Sequence, residues 1–318
     1  MYWNFGDILR GPDTPPFRDT DGPLAVEIGF GNGEFLERLA AERPGYTVVG
    51  MEISQWCIAK GARRALAGRL ENIRLVWGDA RYLLKYAFDG ECVSEVFMNC
   101  PCPWPKRRHA ERRVARREFA DLLASRLVLS GTFTLVTDVD WYAAETRDVF
   151  AAAGTYEAGP VTRIQPRGFS TKYERKWLGM GRDIYEVRAK KKKSAVRGTS
   201  TQKIREELET MESAESLLAA TTALNEESFR DLVRSLEGNE LENSDYKVVF
   251  REVFFGAGMS ALVKVISIDE GFEQHYRVKI VHADGRLRAK TDSVGHPYRT
   301  PGVRASLRHV TRKTGAEL

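Results

Sequence analysis

The sequence has few cysteines and no long apolar run. Four cysteines occur among 318 residues, and Cys100 and Cys102 lie too close together in a proline-rich segment to belong to a disulfide framework. No stretch approaches the roughly 18 apolar residues of a membrane-spanning helix, and the N-terminal residues lack the basic and apolar regions of a secretory signal. These absences predict a reduced, cytoplasmic protein that has no membrane partner.

The composition excludes several classes of protein. Hydrophobic residues make up 42% and charged residues 29% of the chain, which is typical of soluble globular proteins and not of disordered, collagen-like or membrane chains. A length of 318 residues corresponds to about two domains. The formal net charge of +5 is modest, so a polyanionic partner has to be inferred from where basic residues cluster.

Residues 24–154 alternate short strand-like runs with helical patterns. Runs such as LVWG and FTLV are continuously apolar, as strands buried on both faces are. We expect a long helix over residues 112–129 and one more strand over residues 182–189. The series predicts an α/β domain with a mostly parallel sheet and helices on both faces.

The chain is expected to divide near residue 194. Residues 1–193 form the first domain, and residues 194–202 have the Ser, Thr and Gly content of a linker. Residues 203–318 are predicted to form a smaller α+β domain. It contains helices over residues 203–237, followed by antiparallel strands and a final helix over residues 245–312.

Two features of the second domain stand out. Asp284 and Gly285 form a two-residue hairpin signal between strand-like segments. Residues 277–313 hold ten Lys and Arg against two Asp. This charge indicates either a polyanionic partner or ordinary solvated surface.

A glycine-rich turn joins the first strand to a helix. It contains Gly29, Gly31 and Gly33, which allow the backbone to approach a ligand without a Cβ clash, and the helix that follows offers free N–H donors. Glu52 ends the second strand, 25 residues after Glu27, and a carboxylate there can accept hydrogen bonds from ribose hydroxyls. Together these five residues predict a nucleoside cofactor site.

Two further polar residues end neighbouring strands. Asp79 follows the third strand and Asn99 ends the fourth, and open α/β sheets bind ligands at this edge. We assign both to the cofactor site, with Asp79 facing the adenine amine; the alternative is that Asp79 caps a helix. The glycine spacing differs from the G-x-G-x-x-G of dinucleotide enzymes, and a second nicotinamide-binding half is not evident, so S-adenosylmethionine is the favoured cofactor.

A basic segment follows the fourth strand. Seven Lys and Arg between residues 106 and 117 stand against one acid, Glu111, beside a proline-restricted loop that carries Trp104. Because this charge begins at the same strand edge as the cofactor residues, it indicates RNA binding rather than a solvated helix face. The predicted phosphate contacts are Arg107, Arg108, Arg112 and Arg113.

Several motifs together resemble the bacterial tRNA (guanine-N7)-methyltransferase family. They are the glycine turn with its two strand-end acids, the segment PCPWPKRRHAERR, Thr137-Asp138 and the segment TKYE at residues 171–174. The resemblance covers about residues 20–190.

The resemblance implies a class I, Rossmann-like methyltransferase that uses S-adenosylmethionine to methylate N7 of the variable-loop guanosine of tRNA, without a metal. By matched position, Glu27, Glu52 and Asp79 hold the cofactor, and Lys106 and Asp138 contact the substrate. The residues that line the guanine site by the same match are Thr171, Lys172, Tyr173 and Glu174. The oligomeric state is left open between a monomer and a homodimer.

One residue departs from the family pattern. Cys102 stands at the catalytic position where the family has an aspartate. Guanine N7 carries a lone pair and no proton, so its methylation needs alignment and electrostatics rather than a base. We therefore expect the exchange to weaken positioning without abolishing transfer, and Asp138 or Glu174 to supply the missing contact.

The same exchange leaves two alternatives. The first is a non-catalytic or weakly active tRNA-binding relative. The second, less favoured and in a different reaction class, is an RNA cytosine-C5 methyltransferase with Cys102 as its nucleophile. A metal site built from Cys100, Cys102 and His109 is not expected, because a fourth ligand is not apparent.

Overall fold

The computed structural model divides the chain into two compact units, residues 1–206 and 207–318. The described residues are 2–4, 17, 22–88, 90–106, 108, 110, 113, 116–165, 171–194, 217–220, 224–269, 272–283, 285–292, 297 and 300–313. Residues 195–216, which include most of the expected linker and the start of the expected helices, lie outside them. Among the described residues, no helix is both long enough and apolar enough to cross a membrane.

The first unit contains a nine-stranded sheet. Its strands are β1 (Tyr2–Asn4), β2 (Leu24–Ile28), β3 (Thr47–Glu52), β4 (Ile73–Trp77), β5 (Val93–Asn99), β6 (Leu127–Thr137), β7 (Tyr156–Ala158), β8 (Thr162–Ile164) and β9 (Ile184–Lys191). Their order is β1-β4-β3-β2-β5-β6-β9-β7, and β8 also pairs with β9.

Six helices of this unit connect the strands. They are α1 (Glu34–Glu42), α2 (Gln55–Ala67), α3 (Ala80–Ala87), α4 (Arg117–Ala124), α5 (Asp140–Ala152) and α6 (Lys172–Gly179). All five residues of β2 are buried, because this central strand is covered on both faces. On one side of the sheet, Leu36 and Leu39 pack with Ile58 and Leu75 in a single apolar cluster.

The strand order reverses between β2 and β5. From β2 the chain proceeds through β3 to β4 on one side, and it then crosses to β5 and β6 on the other; all of these neighbours pair in parallel. Strand β9 then joins β6 antiparallel. In such a sheet, the crevice outside the carboxyl ends of the two strands at the reversal is where ligands bind. The fold therefore indicates a ligand site at the loops after β2, β3 and β5.

The helix predicted over residues 112–129 is wrong near its start and at its end, where the structure describes the residues. Helix α4 begins only at Arg117 and ends at Ala124, and strand β6 begins at Leu127. Leu127 pairs with Val93 of β5. A short apolar run fits a buried strand as well as a helix, so sheet pairing decided what the local pattern could not.

The second unit is built on a six-stranded antiparallel sheet. Its strands are β10 (Leu217–Ala220), β11 (Glu240–Glu242), β12 (Tyr246–Phe255), β13 (Ser260–Asp269), β14 (Phe272–Ala283) and β15 (Arg286–Thr291), in the order β10-β15-β14-β13-β12-β11. Helices α7 (Glu226–Arg234) and α8 (Pro301–Lys313) supply Phe229, Val233, Val303 and Val310 to the core of this sheet. The predicted fold class, a Rossmann-like α/β unit with a smaller antiparallel α+β unit, is confirmed by the two sheets and their helices.

Within the second unit, the helical prediction over residues 203–237 is wrong at Leu217–Ala220. These residues form β10 and pair with the edge of β15. Leucine and alanine favour helices intrinsically, but an available sheet edge outweighs propensities of a few tenths of a kcal/mol per residue. The hairpin turn lies between Ala283 and Arg286, where Gly285 has a φ of 67° and Asp284 lies outside the described residues.

A buried carboxylate fixes the start of α8. Asp269, only 2% exposed, accepts hydrogen bonds from the Thr300 hydroxyl and the Gly302 N–H, both at 2.6 Å. The side chain of Gln274 donates to the same hydroxyl at 3.1 Å. The helix N-terminus is thus satisfied by a charged group from β13, which stabilises both elements.

We predict that Asp269→Ala destabilises the second unit by about 2–3 kcal/mol, because it leaves buried donors without their charged acceptor. Hydrogen exchange on the full chain should show lost protection in α8. Glu273→Ala is the control, since Glu273 contacts only an exposed histidine among the hydrogen bonds described for it. Equal protection in the two variants would contradict the assigned role.

Candidate active site

A cavity of about 470 Å³ opens at the strand reversal. Residues 28–32 after β2, Glu52 and Ile53 after β3, and residues 98–102 at the end of β5 contribute to its lining. Its volume falls within the range of about 300–1,000 Å³ that is common for cofactor sites. The cavity therefore occupies the position that the sheet topology indicates.

The glycine turn has the backbone that the sequence predicted. Gly29, Gly31 and Gly33 have φ values of 69°, 56° and 75°, a region that residues with a side chain rarely adopt. A Cβ on Gly31 would meet no protein atom within 4 Å, whereas one on Gly33 would lie 3.2 Å from the Gly61 Cα. Gly31 thus leaves open space at the cavity wall, and Gly33 permits α1 to pack on α2.

Glu52 is held by backbone donors. Its Oε2 accepts a hydrogen bond from the Gly31 N–H at 3.0 Å, and its Oε1 accepts from the N–H groups of Ile53 at 2.9 Å and Ser54 at 3.0 Å. These bonds join the loop after β2 to the loop after β3. A carboxylate fixed in this way still has acceptor capacity for hydroxyl groups of a ligand.

A second polar pair connects β2 with β5. Asn99 donates from Nδ2 to the Glu27 Oε1 at 3.1 Å, and these side chains are 9% and 2% exposed. Both residues line the cavity. The prediction that distant acids and the glycine turn meet at one sheet edge agrees with this geometry for Glu27 and Glu52.

The charge of the cavity discriminates between cofactors. Glu27, Glu34 and Glu52 contribute to its lining, and no described Lys or Arg does. Glu34 forms ion pairs with Arg64 and Arg175, so the negative charge comes mainly from Glu27 and Glu52. An acidic wall attracts a ligand that carries a sulfonium and an ammonium group, and it repels the pyrophosphate of a dinucleotide. The residues present therefore fit S-adenosylmethionine.

Asp79 is placed differently from its prediction. Its carboxylate accepts hydrogen bonds from the Arg81 N–H at 2.9 Å and from the Arg81 guanidinium at 3.0 and 2.8 Å. It caps α3 and is absent from the described residues that line the cavity. The structure thus supports the alternative interpretation of Asp79 as a helix cap, because the helix begins directly after it.

The loop after β5 brings two cysteines to the cavity. Cys100 has a φ of 57°, and its Sγ lies 3.9 Å from the Thr171 Oγ1. Cys102 is exposed, and Cys100, Cys102 and Thr171 all line the cavity. The catalytic position assigned to Cys102 therefore lies at the predicted cofactor site, in a cavity that Thr171 of the predicted guanine site also lines.

Arg113, one of the predicted phosphate contacts, is bound to other residues of the protein. Its guanidinium Nη1 donates to both oxygens of Glu145 at 2.7 Å, its Nη2 donates to the Trp104 carbonyl at 3.1 Å, and its Cζ lies 4.9 Å from the centre of the Trp141 ring. Its side chain is 10% exposed. Arg113 fastens the loop to α5, a role that a count of charges cannot distinguish from RNA binding.

Glu174 also has a structural contact that the sequence did not assign. It is 2% exposed and accepts from the Thr171 N–H at 2.6 Å, while Thr171 accepts from the Glu174 N–H at 3.3 Å. This is a reciprocal capping box at the start of α6. The expected contact of Glu174 with guanine is therefore not supported, although Thr171 lines the cavity.

The remaining predicted residues fall into two groups. Asp138 forms an ion pair with Arg182, and Lys106 and Arg108 are exposed. Arg107 and Arg112, and the side chains of Lys172 and Tyr173, lie outside the described residues. Among the residues that the structure describes, no cluster of His, Cys, Asp and Glu could hold a metal ion.

Sequence reasoning missed three cavity residues of different character. Ile53, 66% exposed, follows Glu52 directly; Glu34 opens α1; and Trp104, with a φ of 45°, lies in the proline-rich loop. All three line the cavity. An isoleucine directly after a strand-end acid was the signal available in the sequence, because an apolar residue at that edge can pack on a ligand ring.

The fold and the acidic cavity define a Rossmann-like methyltransferase that uses S-adenosylmethionine. A family described as "Putative methyltransferase" matches residues 21–187. The tRNA (guanine-N(7)-)-methyltransferase of Thermotoga maritima is 34% identical over 295 residues, which cover 92% of this chain and 90% of the relative. That of Thermus thermophilus is 34% identical over 178 residues, or 55% and 56%.

The chain belongs to the tRNA (guanine-N7)-methyltransferase family, and the resemblance visible in the sequence is confirmed. The alignment to the Thermotoga maritima protein, 295 residues long, extends beyond the 206 residues of the first unit. Among solved structures, the 16S rRNA methyltransferase KamB has a TM-score of 0.45 and 16% identity, covering 56% of this chain and 91% of KamB.

We predict that Arg113 and Glu145 are energetically coupled. Each change to Ala should destabilise the first unit, and the double variant should lose about 1–2 kcal/mol less than the sum of the single variants. Urea unfolding of the four proteins measures this coupling. Strictly additive losses would show that the pair does not fasten the loop to α5.

Proposed function

We propose that this chain transfers the methyl group of S-adenosylmethionine to N7 of the variable-loop guanosine of tRNA. The observation that carries the proposal is the 34% identity to a tRNA (guanine-N(7)-)-methyltransferase over 92% of the chain. The acidic cavity at the strand reversal supports the donor. A tRNA substrate places the activity in the cytoplasm.

The reaction needs little proton chemistry from the protein. S-adenosylmethionine supplies an electrophilic methyl group on sulfur. The N7 lone pair forms the new carbon–nitrogen bond as the carbon–sulfur bond breaks, and no proton has to be removed from N7. Alignment of the two reactants and stabilisation of the charge on the base are what the chain has to contribute.

Each group of site residues has a proposed part. Glu52 would accept hydrogen bonds from the ribose hydroxyls of the donor, and the Glu27–Asn99 hydrogen bond, which joins the carboxyl ends of β2 and β5, would hold the wall of the donor site in place. Cys102 and Thr171 lie at the cavity, where the base has to enter. Lys106 and Arg108, both exposed, hold tRNA phosphates close to this edge.

Cys102 is expected to limit the rate of methyl transfer. A thiol is a weak hydrogen-bonding group, so it binds guanine N–H groups less firmly than a carboxylate does. Glu174 is occupied in its capping box and Asp138 in an ion pair. The proposed site therefore relies on positioning by the loop from Cys100 to Trp104.

Binding of the donor can be tested apart from catalysis. Glu52→Gln should weaken S-adenosylmethionine binding about tenfold or more, because it removes charge and reorients an acceptor shared with the Gly31 N–H. Isothermal titration gives the dissociation constant, and Glu42→Gln, an exposed carboxylate paired with Arg38, is the matched control. Equal affinities of the two variants for S-adenosylmethionine would show that Glu52 does not bind the donor.

The product identifies the reaction. Unmodified tRNA transcript incubated with the chain and labelled donor should gain one methyl group, which mass spectrometry maps to 7-methylguanosine in the variable loop. Label on cytosine C5 would instead favour Cys102 as a nucleophile, and tRNA binding without label would favour a relative that lacks turnover. Either result would overturn the proposal.

We expect Cys102→Asp to raise the single-turnover rate by about tenfold, because a carboxylate restores a charged acceptor at the base. Cys102→Ala is the matched variant, and it should retain measurable transfer because no nucleophilic sulfur is required. Complete loss of transfer in Cys102→Ala, with donor and tRNA binding unchanged, would contradict this mechanism.

A further inference from the structure

One face of the second unit's sheet carries a cluster of exposed cations. Strands β14 and β15 alternate between buried residues such as Val278 and Leu287, which belong to the core under α7 and α8, and exposed residues that project from the opposite side. The exposed cations are Arg277, Lys279, Arg286, Arg288 and Lys290. We call these five residues the basic sheet face.

Strand pairing places like charges beside each other. Lys279 lies directly opposite Lys290, while Arg288 lies opposite Val281 and Arg286 opposite Ala283. Residues two apart on one strand are separated by about 6.8 Å, and neighbouring strands by about 4.8 Å. Lysines that face each other across a ladder destabilise a sheet, so the arrangement opposes folding unless an anion is present.

Among the described residues, no acid neutralises the basic sheet face. None of its five cations forms an ion pair with a residue that the structure describes. The nearby acids Glu252 and Glu273 are paired with Lys264 and His275, and Asp292 follows at the end of β15 without an ion pair among the described residues. Two half-buried cations of this unit do have acidic partners: Arg230 pairs with Glu226, and Lys247 with Glu240 and Glu242.

We propose that the basic sheet face binds the sugar–phosphate backbone of tRNA; this rests on the proposed function. Phosphates supply closely spaced negative charges that match two adjacent rows of cations without ion pairs to described residues. A second copy of the chain is a poor occupant, because a two-fold interface would bring this cluster against itself. The face is defined by cations alone, so its proposed contribution is to binding and not to the chemical step.

The test uses the full chain with Lys279→Gln, Arg288→Gln and Lys290→Gln combined. Filter binding to unmodified tRNA transcript should give a Kd raised about tenfold or more, and the slope of log K against log salt should fall by about 2–3, since each phosphate contact contributes roughly 0.7–0.9. The KM for tRNA should rise while kcat at saturating tRNA stays unchanged. The control combines Arg230→Gln, Arg234→Gln and Lys247→Gln, which removes the same charge from ion-paired positions.

Thermal unfolding separates binding from stability. Because two opposed lysines are removed, the test variant should melt at the same temperature as the parent chain or higher. A lowered melting temperature with an unchanged salt slope would mean that the face is structural and would overturn the proposal. An unchanged Kd for tRNA would also overturn the proposal, provided that the parent chain methylates guanine. This holds whether or not light scattering shows the loss of a dimer. If the parent chain itself transfers no methyl group, the proposed function fails instead.

Discussion

The hydrogen bond from the Gly31 N–H to the Glu52 carboxylate is the contact on which the site depends. It joins the loops that follow two adjacent parallel strands, and the Asn99 to Glu27 bond joins the first of those strands to the strand on its other side. Three strand ends are thereby held at the point where the sheet order reverses. The carboxylates that perform this structural task are also the groups that give the cavity its negative charge.

That charge has a chemical consequence. A wall of glutamates favours a donor whose reactive centre is a cation, and the positive charge that the donor loses reappears on the methylated guanine. The same wall therefore favours the charge before and after transfer. It does not require a proton acceptor at the position of Cys102, which is why a thiol there is compatible with the reaction.

The parts of the fold that follow from local pattern were predictable from the sequence. Continuous apolar strands, a glycine turn and Glu52 at a strand end each have a periodic or positional signal. Asp79, Arg113 and Glu174 have no such signal for their roles, because each residue type fits a ligand contact and a structural contact equally well. Only geometry shows that they cap a helix, fasten a loop and close a capping box.

Lys191 is a further case in which the sequence pattern does not reveal the contact. It belongs to a run of four lysines, yet its Nζ is buried and donates to the Ala124 carbonyl at 2.5 Å and the Leu127 carbonyl at 2.7 Å.

A crystal structure of the chain with S-adenosylhomocysteine would test the central claim most directly. The account predicts the nucleoside in the cavity at the strand reversal, with its ribose hydroxyls on Glu52 and its sulfur facing the loop that carries Cys102. A nucleoside bound at any other sheet edge, or a ribose with no contact to Glu52, would contradict it.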